Sequence, residues 1–404
     1  MISPFEFKTT QKILVAFALI AAFVCQPGIV SGQGKVADGE SAKAKYEAAV
    51  LEGRELVKAC RNVSLRFFDS SRADSRKWEK KWPVATKALA DHKVVFEEAA
   101  VNWFMECKQP DNELIQVVSL ISSQFYDDGD AERSWKLLRK IRQYFPGGDS
   151  TMLDLQIAIV AAKTNRFDEA MAFLQRPDAR EAIEELEPLE KSMLLLAPLM
   201  AEKWERESQL REAEAKADDL PRVKFELEAG EVIVELFENE APQTVANFLS
   251  RVESGLYDGS YCHPHIKDIV MQSGLVSRER EIPADYLIKN ESRREDSRSH
   301  FAGSLTMASL KGGKETSSTG FAIMMAANPD LDWNRTEEDD ASQPVFGRVV
   351  SGMKYVAGLP VTMEIDPETN EQSLIKESVP GYIERATVIR KRNHEYTFEK
   401  IQSQ

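Results

Sequence analysis

The sequence predicts a two-domain protein in which an all-α region is followed by a mainly β domain. Its 404 residues are enough for two or three domains. Between residues 41 and 219, apolar residues recur at three- and four-residue steps among many Ala, Leu, Glu, Lys and Arg, a pattern typical of helices. After Pro221 the apolar residues alternate with charged ones, as in half-buried strands. We therefore place the domains at 41–219 and 221–395, with a C-terminal tail at 396–404.

The composition indicates ordinary soluble domains. The chain is 43% hydrophobic and 29% charged, and its formal net charge is −14. Such a composition is ample for packed cores. An acidic chain without a clustered basic face gains nothing from phosphate backbones or anionic lipid surfaces. We therefore expect neither nucleic acid nor a membrane surface as a partner.

The N-terminus predicts an export signal. Basic residues precede the apolar run "ILVAFALIAAFVC", and small residues follow up to Gly32, which together are typical of a signal peptide at 1–32. The run has about 13 residues, fewer than the roughly 20 that span a membrane. We expect an exported protein, periplasmic or secreted, with no membrane attachment after cleavage. A lipid anchor on Cys25 and an uncleaved N-terminal anchor are the alternatives.

Three cysteines follow the predicted signal, namely Cys60, Cys107 and Cys262. They are too few for a disulfide framework and odd in number. A bridge between Cys60 and Cys107 is compatible with an oxidising compartment, but the sequence alone does not establish it.

The helical region contains two similar helix pairs. The segments "ELIQVVSLISSQF" and "TMLDLQIAIVAAK" each run into a short polar turn and a second helical pattern. Equivalent positions, Ser134 and Ala170, are about 36 residues apart, which resembles the tetratricopeptide repeat with its period near 34. A generic helical bundle is the alternative. Either reading is typical of an interaction or spacer domain, so we expect a protein partner on the helical domain.

The second domain opens with a hairpin and a helix. Two runs of alternating apolar residues flank the turn "EAG" and predict a β-hairpin: Val223, Phe225, Leu227, Val232, Val234 and Leu236. An amphipathic helix is predicted next, with Pro242 in its first turn and Gly255 just beyond its end.

The order of the following motifs resembles a cyclophilin-type peptidyl-prolyl cis-trans isomerase domain over about 222–391. The motifs are "HPHI", "VMQSG", "HFAGSLTMAS", "TGFAIMMAANPDLD" and "PVFGRVVSGMKYV". The resemblance implies a closed, eight-stranded antiparallel barrel with two helices. It also implies a groove that binds proline-containing peptides or unfolded clients, without a cofactor.

The resemblance further implies how the family works. A family arginine donates a hydrogen bond to the prolyl nitrogen and lowers a barrier of about 18–20 kcal/mol. Pro264 occupies that position in this chain, and proline has neither a side-chain donor nor a backbone N–H. We therefore assign no catalytic side chain.

Other positions of the family groove are partly kept. The histidine and the first glutamine are retained, whereas the second glutamine, the aromatic pocket floor and a tryptophan are replaced by Gly, Ala and Asp330. The resemblance places the peptide-binding positions at His263, Ile269, Val270, Gln272, Ala308, Ser309, Gly320, Ala322, Leu331 and Gln343. We therefore expect a proline-peptide-binding protein with weak or absent isomerase activity. The alternative is an active isomerase that assists the folding of exported proteins.

The group "CHPH" admits two other readings. His263 and His265 share a strand face, but two ligands would hold a metal only with others from elsewhere. Cys262 and His263 point to opposite faces, which argues against a nucleophile–base pair. The acidic run Glu337–Asp340 lacks the glycine and the alternation of calcium loops. We expect no metal site.

Overall fold

The computed structural model describes residues 41–69, 72–146, 150–278, 281–282, 284–310, 313–333, 342–366, 369 and 371–402. The predicted signal peptide at 1–32 and the acidic run Glu337–Asp340 lie outside these residues. The chain forms two compact units. The described parts of Met1–Gln124 and Leu137–Tyr144 make up one, and those of Phe125–Lys136 and Phe145–Gln404 make up the other.

The region up to residue 217 is helical, as the apolar spacing predicts. Asp111 accepts the backbone N–H of Leu114 at 2.8 Å and so caps the third helix. The last helix ends where Asp218 adopts φ +42°. The helices are α1 (Ala42–Asp69), α2 (Arg72–Glu106), α3 (Asn112–Asp127), α4 (Ala131–Arg142), α5 (Thr151–Lys163), α6 (Phe167–Leu174), α7 (Ala179–Glu184), α8 (Pro188–Leu195) and α9 (Ala197–Ala217).

The two predicted helix pairs are present as α3 with α4 and α5 with α6. The second pair departs from a regular repeat, because α6 has only 8 residues and is followed by the short helices α7 and α8. The helical character is confirmed, and the tetratricopeptide classification stays a prediction.

The second unit also contains the sheet and two more helices, α10 (Pro242–Glu253) and α11 (Met353–Ala357). The strands are β1 (Arg222–Leu227), β2 (Gly230–Leu236), β3 (His265–Ile266), β4 (Val270–Ser273), β5 (Leu287–Lys289), β6 (Ser304–Ser309), β7 (Glu315–Met324), β8 (Val345–Ser351), β9 (Met363–Ile365), β10 (Gln372–Leu374) and β11 (Arg385–Arg390). The predicted hairpin is confirmed, since Val223 pairs with Val234 and Phe225 with Val232.

The strands form an open sheet, so the prediction of a closed barrel is wrong, and its count of eight strands is not confirmed. Within the described residues the sheet has 11 strands in the order β10-β9-β3-β4-β7-β6-β8-β2-β1-β11, with β5 beside β7. The segments before β3 and before β11 meet at an isolated bridge between Tyr261 and Tyr382 and at a few backbone hydrogen bonds around it, without forming a continuous ladder of paired strands. Pro264 directly precedes the two-residue strand β3, and a residue without an N–H cannot extend a ladder there.

The core of the sheet domain is built around an aromatic group under α10. Phe248 is fully buried, and its ring centroid lies 4.9 Å from that of Phe346 and 5.5 Å from that of Phe321. The predicted apolar face of this helix is buried as expected, and Gly255 beyond its end has φ +69°. The left-handed conformation favours glycine at this helix end.

Helices α5 to α9 share a compact unit with the sheet. Phe301, in the connection between β5 and β6, is fully buried among helical side chains. Its ring centroid lies 4.9 Å from that of Trp204 in α9 and 6.0 Å from that of Phe167 in α6. A loop of the sheet domain therefore completes a core that belongs mainly to the helices.

Two further features concern disulfide bonds and membrane-spanning helices. Cys60, Cys107 and Cys262 are free thiols, so the bridge considered above is not formed. None of the helices in the described ranges combines the length and the apolar character that crossing a membrane requires.

Candidate functional site

Three neighbouring strands place one row of side chains across the candidate groove. Gln272 in β4 lies opposite Ala322 in β7, and Ala322 lies opposite Thr306 in β6. Directly paired residues of antiparallel strands point to the same face of a sheet. Val270 and Gly320, each two positions from a member of this row, share that face. The predicted site residues on β4 and β7 are therefore brought together.

Pro264, where the sequence resemblance expects the family arginine, lies beside this row. The backbone N–H of Gln272 donates to the carbonyl oxygen of Pro264 at 2.8 Å. The backbones of the two residues are therefore in direct contact. The neighbouring His263 has its Nδ1 atom 2.8 Å from Thr362 Oγ1, and the N–H of His265 donates to the same hydroxyl at 2.9 Å. His263 is thus held against the segment before β9.

Several arginines of the sheet domain point to carboxylates elsewhere. Arg298 binds Glu207, and Arg348 binds Glu235 with an Nη2–Oε1 distance of 2.8 Å. Arg251 binds Asp285. None of these three therefore replaces the guanidinium of the arginine that the resemblance expects at position 264.

The remaining predicted positions lie outside the central row, and we call them the rim of the candidate groove. Half-buried Ile269 accepts the N–H of Met325 at 2.9 Å, and Leu331 accepts the N–H of Gln343 at 3.0 Å. The hydroxyl of Thr306 lies 3.3 Å from Gln343 Oε1, which joins this rim to the central row. Ala308 lies in a bulge of β6 and Ser309 follows it. Ser309 Oγ contacts the side chain of Asn290 at 3.4 Å.

Leu275 is a neighbour of the predicted groove position Gly320 that the sequence did not reveal. A Cβ atom at Gly320 would lie 2.8 Å from Leu275 Cδ2. The leucine therefore occupies space that any side chain at position 320 would need. Leu275 is 39% exposed and gives this end of the groove an apolar surface. The only sequence signal was its position directly after "VMQSG".

A buried polar chain under the groove was also missed. Asp332 Oδ1 accepts the backbone N–H of His300 at 3.0 Å and lies 2.7 Å from His300 Nδ1. His300 Nε2 is 3.1 Å from Thr306 Oγ1, so the chain ends at the central row. Burial opposes ionisation of Asp332, but His300 and Lys203 hold the pKa of that carboxyl below its usual value. The two partners are 32 positions apart, too far for a local motif to show.

The group "CHPH" shows no nucleophile–base pair. Cys262 belongs to the apolar core, and burial raises the pKa of its thiol to about 12. His265 is buried with Nδ1 3.2 Å from the carbonyl oxygen of Pro360, and burial lowers the pKa of its imidazole. Across the described ranges, no three His, Cys, Asp or Glu side chains are grouped as a metal ion would require.

Cys262 is expected to resist alkylation. Because the thiolate is the reactive form and the pKa of Cys262 is about 12, iodoacetamide at pH 8 should leave this residue unmodified in the native protein. Half-buried Cys107 should react first and serves as the internal control. Peptide mass spectrometry after timed labelling measures both. Labelling of native Cys262 as fast as that of Cys107 would contradict the expectation.

Comparisons with known proteins agree on the second domain. Residues 222–377 match the family described as "Cyclophilin type peptidyl-prolyl cis-trans isomerase/CLD". The chain is 33% identical to the peptidyl-prolyl cis-trans isomerase ppi1 of Schizosaccharomyces pombe, over 33% of this chain and 81% of that protein. It is 35% identical to peptidyl-prolyl cis-trans isomerase B of Bacillus subtilis, over 33% of this chain and 87% of that protein.

A solved structure is similar as well. A cyclophilin-type isomerase of Cryptosporidium parvum, crystallised in the presence of the dipeptide Ala-Pro, aligns over 41% of this chain and 98% of its own, with 21% identity and a TM-score of 0.31. The sequence matches above cover the sheet domain, in agreement with the order of motifs read from the sequence.

Proposed function

This chain belongs to the cyclophilin-type peptidyl-prolyl cis-trans isomerase family, and we propose that its domain at 222–391 binds proline-containing peptides or unfolded clients while catalysing little or no isomerisation. The observation that carries the proposal is the contact between Pro264 and Gln272. A proline ring stands where the family's guanidinium would reach the prolyl nitrogen. Removing one placed donor typically costs about 10²–10³ in rate.

The groove retains groups that suit an extended peptide. Gln272 is half-buried on the central row, and an amide side chain offers both a donor and an acceptor to a peptide backbone. Ile269, Val270 and Leu331 supply apolar surface beside it. Ala322 in place of an aromatic floor removes part of the surface that would hold a proline ring, so we propose weak binding.

The second candidate is an active isomerase that assists the folding of exported proteins. Family membership and the retained His263 and Gln272 favour it. The two candidates differ in one measurable quantity, the rate of Ala-Pro isomerisation above the uncatalysed background. A protease-coupled assay gives that rate, and fluorescence anisotropy with a labelled Ala-Pro peptide gives the dissociation constant.

Gln272→Ala is expected to weaken binding of the labelled peptide about threefold to tenfold, because one hydrogen bond to the peptide backbone is lost. The matched control is Gln372→Ala, which changes an exposed glutamine in β10 and should leave the dissociation constant unchanged. Wild-type protein that does not bind the peptide would refute the proposal. A wild-type rate well above background that falls in Gln272→Ala would establish the active isomerase instead.

We also propose export to the periplasm or the exterior through the signal peptide at 1–32, supported by the basic and apolar pattern of that segment. We further propose that the α3–α4 and α5–α6 pairs are tetratricopeptide-like and that the helical domain binds a protein partner. The support is the spacing of about 36 residues between the pairs and their helix–turn–helix order.

A further inference from the structure

Two lysines of the helical segment bind the two loops that border the groove. Lys163, the last residue of α5, pairs with Asp268, and the two side chains are 6% and 19% exposed. Lys203 of α9 places Nζ 2.5 Å from Asp332 Oδ2. Asp268 directly precedes Ile269, and Asp332 directly follows Leu331. Each lysine therefore binds an aspartate that is the sequence neighbour of an apolar position of the groove.

The loop at Asp268 needs external support. Asp268 adopts φ +61°, in the left-handed region that costs an ordinary residue about 1–2 kcal/mol, although aspartate tolerates it better than most. Its carboxylate is held by Lys163, whose ammonium also lies 4.4 Å from the ring centroid of Tyr126. The ion pair thus fixes the conformation from which β4 begins.

The loop at Asp332 is connected to the centre of the groove. Asp332 uses Oδ2 for Lys203 and Oδ1 for His300. His300 contacts Thr306, whose hydroxyl lies 3.3 Å from Gln343 Oε1. A displacement of the Asp332 carboxylate therefore changes the hydrogen-bond partners available to Thr306 and Gln343.

The helices that carry the lysines are themselves firmly attached to the sheet domain. Asn165 donates to the carbonyl oxygen of Ala302 and accepts its N–H, both at 3.0 Å. The Phe301 ring packs between Phe167 and Trp204, as described above. Partly buried ion pairs whose lysines lie on firmly attached helices lose less stabilising free energy to side-chain entropy and solvent screening than freely exposed pairs do.

We propose that Lys163 and Lys203 are positioning residues of the peptide groove. They hold the loops at Asp268 and Asp332, and through them the positions of Ile269, Leu331 and Gln343. Helices α5 and α9 are then part of the peptide-binding unit. The inference rests on the proposed function, because its effect is read in peptide affinity.

The test uses the full chain with Lys203→Met and, separately, Lys163→Met. Each variant should weaken binding of the labelled Ala-Pro peptide about threefold to tenfold, and Lys203→Arg should restore wild-type affinity because it keeps the cation. The matched control is Lys191→Met, which removes a 2.6 Å ion pair with Glu184 elsewhere on the helical segment. A purely structural role would lower the melting temperature without changing the affinity of the folded protein.

Amide hydrogen exchange of segments 264–272 and 328–333 provides a second readout that does not need a peptide. Lys163→Met should speed exchange in the first segment and Lys203→Met in the second, whereas Lys191→Met should change neither. Wild-type binding with unchanged affinity in both variants would overturn this inference alone. If the wild type bound no peptide, the proposed function would fail, and the exchange data alone would support or overturn the positioning role.

Discussion

Arg298→Ala is expected to lower the free energy of unfolding of the second compact unit by about 3–5 kcal/mol, because it leaves buried carboxylates without their counter-ion. The Arg298 side chain is 1% exposed. Its Nε and Nη2 atoms donate to the two oxygens of Glu207 at 2.8 and 2.9 Å, and Nη1 donates to Glu214 at 2.5 Å. Both glutamates belong to α9, so this arginine fastens that helix to the sheet domain.

The loss of unfolding free energy in Arg298→Ala should depend on pH. Burial raises the pKa of Glu207, but pairing with Arg298 and Arg211 outweighs burial, and the net pKa is lowered. In the wild type this carboxylate therefore stabilises the fold at pH values above its unfolded pKa. That stabilisation is lost as the pH falls through the folded pKa. Without Arg298 the buried Glu207 favours its neutral form. The difference in stability between wild type and variant should therefore be largest near pH 7 and shrink toward pH 4.

Two controls make the Arg298 experiment specific. Arg294→Ala removes an exposed arginine that pairs with Asp296 and should cost about 1 kcal/mol or less. Combining Arg298→Met with Glu207→Gln and Glu214→Gln should recover part of the loss, since the two carboxylates that Arg298 binds are then neutral. The recovery should be incomplete, because Arg211 loses its ion pair with Glu207. Urea unfolding followed by tryptophan fluorescence measures all variants. Equal losses in Arg298→Ala and Arg294→Ala would contradict the expectation.

Pro264→Arg is expected to raise kcat/KM for an Ala-Pro peptide by about tenfold or more, because it places a guanidinium beside Gln272. A donor of this kind is worth about 10²–10³ where the rest of a site is intact, and the smaller pocket at Val270 and Ala322 reduces the gain. The backbone contact from Gln272 N–H to the residue 264 carbonyl does not require proline. The protease-coupled assay measures the rate.

Pro264→Lys is the matched control for that experiment. It adds a positive charge without the planar, multiply donating fork of arginine, so it should raise the rate much less. Equal gains in the two variants would mean that charge alone acts. No gain in Pro264→Arg would mean that the pocket as well as the donor has been lost, and the groove would then have to be treated as a binding surface only.

Local patterns predicted the elements whose neighbours in space are also neighbours in sequence. The β1–β2 hairpin follows from alternation around a three-residue turn, and α10 follows from Pro242, a spaced apolar face and Gly255. The Pro264 substitution was readable because the residues around it keep the family's order. Each of these signals lies within about a dozen residues, which is the range over which periodicity is informative.

The parts that sequence did not predict depend on distant pairs. Closure of the sheet depends on whether the segments at Tyr261 and Tyr382 form a continuous ladder. The sequence of neither segment predicts whether they pair. The sequence showed His300 only as the first residue of the motif "HFAGSLTMAS", because its partner Asp332 lies 32 positions later. Likewise, nothing around Phe301 in the sequence indicates that its ring completes the core of helices α6 and α9.

The same core has a consequence for biosynthesis. Trp204 leaves the ribosome about 100 residues before Phe301, which at roughly 5–20 residues per second leaves the nascent helices for about 5–20 s without the ring that seals them. During that interval Phe167 and Trp204 expose apolar surface that other nascent polypeptides can contact. Synthesis from the N-terminus therefore leaves the core of these helices incomplete until the loop that carries Phe301 has emerged.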